Sequence, residues 1–127
     1  FTEAARALTP GGRLFMVLNH PSFRVPKASS WGYDTEKGVQ YRRIDRYLSE
    51  SREAIVMHPS EKQSEKTVSF HRPLQVYVKA LAKAGFVITR LEEWNSHKKS
   101  GRGSRQAAED RARKEIPLFL FVEARKL

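Results

Sequence analysis

The sequence predicts an α/β fold built on a mixed sheet, and three observations carry that reading. Two short apolar runs, Leu14–Leu18 and Leu118–Val122, stand between turn-forming or polar residues, as buried strands do. Two segments, Phe1–Leu8 and Leu74–Ala82, repeat apolar residues at helical spacing. Each of these helices runs into glycine and then into a β-rich stretch, so helix and strand alternate along the chain.

In order, Phe1, Ala4, Ala5 and Leu8 share one helical face, and Thr9-Pro10-Gly11-Gly12 ends the helix. Proline cannot continue it, and glycine supplies the backbone freedom of a tight turn. The run Leu14-Phe15-Met16-Val17-Leu18 is apolar throughout, which predicts a central strand covered on both faces. Residues 20–38 read as a long loop, rich in proline, glycine and serine and carrying Phe23, Trp31 and Tyr33. Tyr41, Ile44, Tyr47 and Leu48 suggest a short helix, and 58–66 a polar, mobile loop; loops of this length are commonly functional or disordered. Pro73 suits the first position of a helix with the stripe Leu74, Tyr77, Val78, Leu81 and Ala82, and Gly85 suits its C-terminal cap. Phe86–Leu91 is a further strand, and 97–104 a basic loop with glycine. Gln106–Glu115 reads as an exposed helix, with Glu109/Arg113 and Asp110/Lys114 at ion-pair spacing. No core-facing helix separates the strands at 86 and 118, so antiparallel pairing between them is open, which makes the sheet mixed.

The 127 residues fit one domain, and 39% hydrophobic against 30% charged residues places the chain among globular rather than disordered sequences. No apolar run reaches the roughly 20 residues of a membrane helix, so no membrane partner is expected. The sequence has no cysteine, which excludes disulfides, zinc–thiolate sites and cysteine nucleophiles within it and fits a cytoplasmic protein. The chain opens on Phe1 rather than Met, so its natural start is expected upstream. Its net charge of +10 suits nucleic acid, an anionic surface or an acidic partner, or is offset by residues beyond this segment.

Two motifs carry a resemblance. Glu3-Ala-Ala-Arg-Ala-Leu-Thr-Pro-Gly-Gly-Arg-Leu-Phe-Met-Val-Leu18 is similar to the helix, Leu-x-Pro-Gly-Gly turn and fifth strand of class I, Rossmann-like S-adenosylmethionine-dependent methyltransferases. Leu81-Ala-Lys-Ala-Gly-Phe-Val-Ile-Thr-Arg-Leu-Glu-Glu93 resembles the same family's later Leu-x-x-Ala-Gly-Phe step. The closing strand at 118–124 resembles the antiparallel seventh strand. Asn19-His20-Pro21-x-Phe23 and Phe70-His71-Arg72-Pro73-Leu74 also resemble a subgroup that acts on small molecules. The resemblance implies that residues 1–127 are the C-terminal portion of one methyltransferase domain. They would supply strands 5, 7 and 6 of a sheet ordered 3-2-1-4-5-7-6. It implies S-adenosylmethionine as cofactor, held mainly by residues upstream of Phe1. The family's glycine-rich loop is absent here, and Gly101-x-Gly103 follows no strand. Strand 5 would present a bare edge, so the isolated segment is expected to self-associate or to be marginally stable.

Ligands of open α/β sheets sit outside the carboxyl ends of the parallel strands, which brings Asn19 and His20 to the rim of a cleft. His20 is there either a substrate ligand or general base, or a loop residue bonded locally ahead of Pro21. His71 and Arg72 precede a helix N-terminus, where His71 is a second candidate base and Arg72 a holder of anionic substrate, against a helix cap and a surface arginine. Phe23, Trp31 and Tyr33, with Tyr41, either line a pocket for a flat substrate or pack the loop down. Arg42, Arg43 and Arg46 share the helix read at 41–48, as a phosphate or RNA contact or as a solvated face. Asp34 and Glu36 have only their spacing in favour of an acid–base pair. The four histidines lack metal-ligand spacing, so no metal is expected.

The function so implied is methyl transfer to a small molecule by in-line displacement, with the segment forming the substrate side of the cleft and inactive alone. The alternatives are an RNA- or DNA-binding module or nucleic-acid methyltransferase half, on the +10 charge and the basic loop after His97, or a non-catalytic relic of the fold.

Overall fold

Residues 1–56 and 66–127 are described by the structure, a computed structural model. The glycine turn after Pro10 separates a first helix, α1 (Thr2–Ala7), from β1 (Arg13–Asn19). There follow β2 (Ser29–Asp34), β3 (Val39–Ile44), β4 (Ser51–Val56) and β5 (Lys66–His71). The chain continues through α2 (Leu74–Lys83), β6 (Phe86–Trp94), α3 (Gln106–Glu115) and β7 (Phe119–Lys126). The main sheet has the order β1-β7-β6, and β7 runs antiparallel to both neighbours. β2–β3 and β4–β5 are separate antiparallel hairpins.

Alternation along β7 defines the core. Leu120, Val122 and Ala124 are buried and share one face with Leu14, Met16 and Leu18 of β1 and with Phe86 and Ile88 of β6. Both α1, through Ala4, Ala5 and Leu8, and α2, through Leu74, Leu81 and Ala84, pack on this face. Burying a leucine as fully as Leu81 or Leu120, each 1% exposed, contributes about 1.5–3 kcal/mol. The α1 end is tied down by Lys126. Its ammonium donates to the carbonyls of Ala5 and, at 2.6 Å, Leu8, which have no partner inside the helix. Gly11, at φ +85°, donates its N–H to Lys126 O at 2.8 Å and closes the turn.

The structure corrects several expectations. β1 is not covered on both faces: Phe15 and Val17 are 56% and 55% exposed, because both helices lie on the opposite face. Residues 20–38 are not one loop, since 29–34 pair with 39–44 across an Asp34–Gly38 turn. Asp34 Oδ1 accepts the N–H groups of Glu36 and Lys37, so this carboxylate shapes the turn. The helix read at 41–48 is instead β3 and an irregular segment, which places Arg42 and Arg43 on a strand. Tyr41 faces Gly32 across the hairpin, and a Cβ at Gly32 would lie 2.4 Å from its ring, so the ring occupies the room a side chain would need. Of the loop expected at 58–66, residues 58–65 lie outside the described residues, and Lys66 begins β5. The apolar stripe of α2 is narrower than its sequence implies, with Val78 and Ala82 exposed. α3 is not wholly exposed, because Ala112 is buried, and Arg113 pairs with Asp110 at i,i+3 rather than with Glu109. Among the described residues no helix is long and apolar enough to cross a membrane.

Leu120→Ala should lower unfolding free energy by about 2–5 kcal/mol, seen as a lower urea midpoint at unchanged slope. β1 pairs on one edge only among the described residues, and Phe15 and Val17 stand exposed beside the free edge. The chain alone should therefore associate with rising concentration in sedimentation velocity; a monomer at every concentration would refute this.

Candidate active site

The site begins where β1 stops. His20 N–H still donates to Leu118 O at 2.9 Å, extending the ladder by one rung, and His20 O then accepts the N–H groups of Phe23 and Arg24. Because side chains alternate along a strand, Asn19 and His20 leave β1 on opposite faces. Asn19 Oδ1 accepts a hydrogen bond from Arg24 at 2.9 Å. His20 turns to the helix-covered face and is 3% exposed.

Both ring nitrogens of His20 are engaged. Nδ1 accepts the Ser22 N–H at 3.1 Å, so the proton of the neutral ring sits on Nε2, which donates to Glu93 Oε2 at 2.7 Å. The Phe23 ring closes over the imidazole at 4.9 Å between centroids. Glu93 reaches His20 because Glu93 pairs with Leu120 and Leu120 with Leu18, a row of side chains that lies on the face His20 enters. Its side chain is half exposed and lines an open groove of about 620 Å³ with Val17, Trp94 and Phe119. Trp94 stacks on Phe121 at 5.0 Å and donates its indole N–H to Glu92, which holds that carboxyl below its ordinary range.

A second cavity, of about 470 Å³, lies beside Asn19 and is lined by Arg24, Lys27, Ser29, Arg42 and Ser69. Arg42 donates from Nε to Phe23 O at 2.8 Å and from Nη2 to Ser29 Oγ at 3.1 Å, and its guanidinium stands 5.0 Å over the Trp31 ring. Burial, and then the charge of Arg24, lowers its pKa from the usual arginine value. Arg24 in turn lies over Phe119 at 5.4 Å, so it links this cavity to the wall of the Glu93 groove.

The other sequence candidates are distributed differently. His71 is buried, and its Nε2–H donates to Tyr47 O at 2.6 Å. The Tyr47 hydroxyl accepts the Leu74 N–H at the start of α2, so it caps that helix. Arg72 lies over Phe70 and pairs with Glu50 at 3.5 Å, both side chains being well exposed, and such pairs are worth little. His71 and Arg72 line a shallow depression apart from Asn19 and His20. Trp31 meets the cavity through Arg42, and Tyr33 carries Arg105 at 4.1 Å over its ring. The basic loop is partly engaged internally, with Ser100 donating to Asp110 and Arg113 to Ser100. Sequence reasoning missed Glu93, Arg24 and the role of Arg42. Gly101 and Gly103 stand in open space, where a Cβ would meet nothing within 4 Å. Among the described residues no group of three or more potential ligands is placed to hold a metal.

The described residues thus form an open sheet with helices on one face and polar pockets past the end of β1. Comparison with solved structures sharpens this to a family of folds. The chain is similar to an S-adenosylmethionine-dependent methyltransferase from Mesorhizobium loti, at 28% identity and TM-score 0.67 over 98% of the chain. A structure from Listeria monocytogenes assigned to the same class shares the fold at 21% identity and TM-score 0.69 over 99% of the chain. The chain spans about half, 52%, of each of these structures, as the C-terminal half of a methyltransferase would. No family model and no curated protein matches the sequence.

Replacing His20 with Ala strands the Ser22 N–H in a part-buried place and should cost about 1–3 kcal/mol in urea unfolding. Glu93→Gln keeps a hydrogen-bond acceptor for Nε2 and should cost less than His20→Ala; the reverse ranking would show that the charge, not the ring, holds the turn.

Proposed function

We propose that this chain is the substrate-facing, C-terminal portion of a class I S-adenosylmethionine-dependent methyltransferase that acts on a small molecule. The observation that carries the reading is the similarity to the Mesorhizobium loti methyltransferase along nearly the whole chain. In this reading β1, β7 and β6 correspond to strands 5, 7 and 6 of a seven-stranded sheet, and the enzyme works in the cytoplasm. S-adenosylmethionine would be the methyl donor. Its binding is assigned mainly to the part of the domain that this chain does not span.

The share of the chemistry assigned to these residues is positioning and proton handling. Glu93 lines the groove and, in this reading, takes the proton that an attacking hydroxyl or amine must lose. His20 holds Glu93 Oε2 through Nε2–H, so the imidazole acts with the carboxylate as one unit. Val17, Trp94 and Phe119 give the groove an apolar surface for the substrate, and Asn19 and Phe23 are assigned to its substrate side. Trp31 acts through Arg42, while His71 and Arg72 stand apart from this groove.

The test uses the full-length natural protein. Calorimetry should show S-adenosylmethionine binding, and labelled methyl groups should pass to small molecules; absence of cofactor binding would refute the reading. Both Glu93→Gln and His20→Ala should lower turnover by about 100-fold or more while cofactor affinity holds. Unchanged turnover would remove this pair from the reaction.

A further inference from the structure

We propose that the cavity between Asn19 and Arg42 is an oxyanion subsite, in which Arg24 and Arg42 hold the carboxylate or phosphate end of the substrate. This rests on the reading of the cleft as the substrate side and adds the substrate's chemical class.

Charge neutralisation within the cavity is uneven. Lys27 pairs with Glu53 at 3.6 Å, and Glu53 also takes Arg46 at 3.4 Å. Arg24 and Arg42, among the described residues, bond only neutral acceptors: Asn19 Oδ1, Phe23 O and Ser29 Oγ. Among the described residues no carboxylate lines the cavity. Two guanidinium groups thus share a half-enclosed space with no counter-charge among the described residues, and burial first, then the neighbouring Arg24 charge, lowers the pKa of Arg42. An anion relieves the repulsion between the two charges, and a guanidinium fork suits the paired oxygens of a carboxylate or phosphate.

The groups are also held in place. Arg42 is fixed by a carbonyl, by a hydroxyl that itself donates to Val25 O at 2.7 Å, and by the face of Trp31. A guanidinium has five N–H donors, and those bonds use two, leaving three for a ligand. Thr67 and Ser69 also line the cavity and carry hydroxyls that can act as neutral donors. At the cavity's edge Lys27 is the one non-glycine residue at positive φ, +57°, among the described residues. Such a conformation is disfavoured for a side-chain-bearing residue and persists where its surroundings enforce it. The cavity also adjoins the reacting centre, since Arg24 touches both its lining and Phe119 of the Glu93 groove. A substrate anchored by its anionic end between the two arginines would present its other end along that groove.

The experiment titrates inorganic phosphate and, separately, malonate into the full-length protein by calorimetry, with and without S-adenosylmethionine. Saturable binding of at least one anion is expected; phosphate alone points to a phosphate-bearing substrate, malonate alone to a carboxylic acid. Arg24→Gln and Arg42→Gln should each weaken binding by roughly tenfold or more. Arg43→Gln, which removes only an exposed pair with Asp45, should leave it unchanged. Thermal melts identify variants that remain folded, and Arg24→Gln decides the matter if Arg42→Gln does not fold. No saturable binding of either anion, equal weakening by Arg43→Gln, or displacement of the anion by S-adenosylmethionine overturns the proposal. Cofactor binding without anion binding would overturn this subsite and leave the methyltransferase reading standing. Anion binding without cofactor binding would do the opposite.

Discussion

The insertion of β7 between β1 and β6 is the constraint from which the rest follows. Neither outer strand touches the other, so every rung of the main sheet passes through β7. The buried faces of Leu120, Val122 and Ala124 give both helices their seat, and Lys126 at the strand's far end locks the close of α1. The same strand builds the site. Leu120 stands between Leu18 and Glu93, and this row carries a carboxylate from one edge of the sheet to a histidine just beyond the other.

Glycine and proline made the main elements legible in the sequence. Pro10-Gly11-Gly12 and Ala84-Gly85 mark helix ends whose positive-φ glycines no other residue replaces easily, and the strands after them lie where their apolar runs stand. Coverage of faces was not legible. Phe15 and Val17 are as apolar as Leu14 and Met16, so composition alone could not show that one face of β1 carries no helix. The hairpins were hidden by the same proline, serine and glycine residues that usually mark loops. Gly32 lies within the stretch read as a loop and is instead the space filled by Tyr41.

Glu93 escaped notice for a geometrical reason. Counted from Phe86 and Ile88, which face the core, an odd-numbered residue should point away from His20. The register shift between Ile88 and Arg90 inserts one residue and exchanges the faces, so Glu93 enters the row of Leu18 and Leu120. Arg42 was missed because a helix was read where a strand stands. On β3 it points back to Phe23 and Ser29 rather than along a solvated helix face with Arg43 and Arg46. Part of the +10 charge is accordingly a local field inside a cavity and not only a diffuse surface property.

The two hairpins set a sequence of events in time. Each joins neighbouring stretches of chain, and hairpins of this kind close within about 1–10 μs. β1 meets β7 only by pairing residues such as Leu14 with Ala124, far apart along the chain, and such contacts form slowly because a long loop must first be closed. Much of the wall of the arginine cavity is therefore made early from local pieces, while the wall that Asn19 provides is fixed only when β7 arrives between its neighbours.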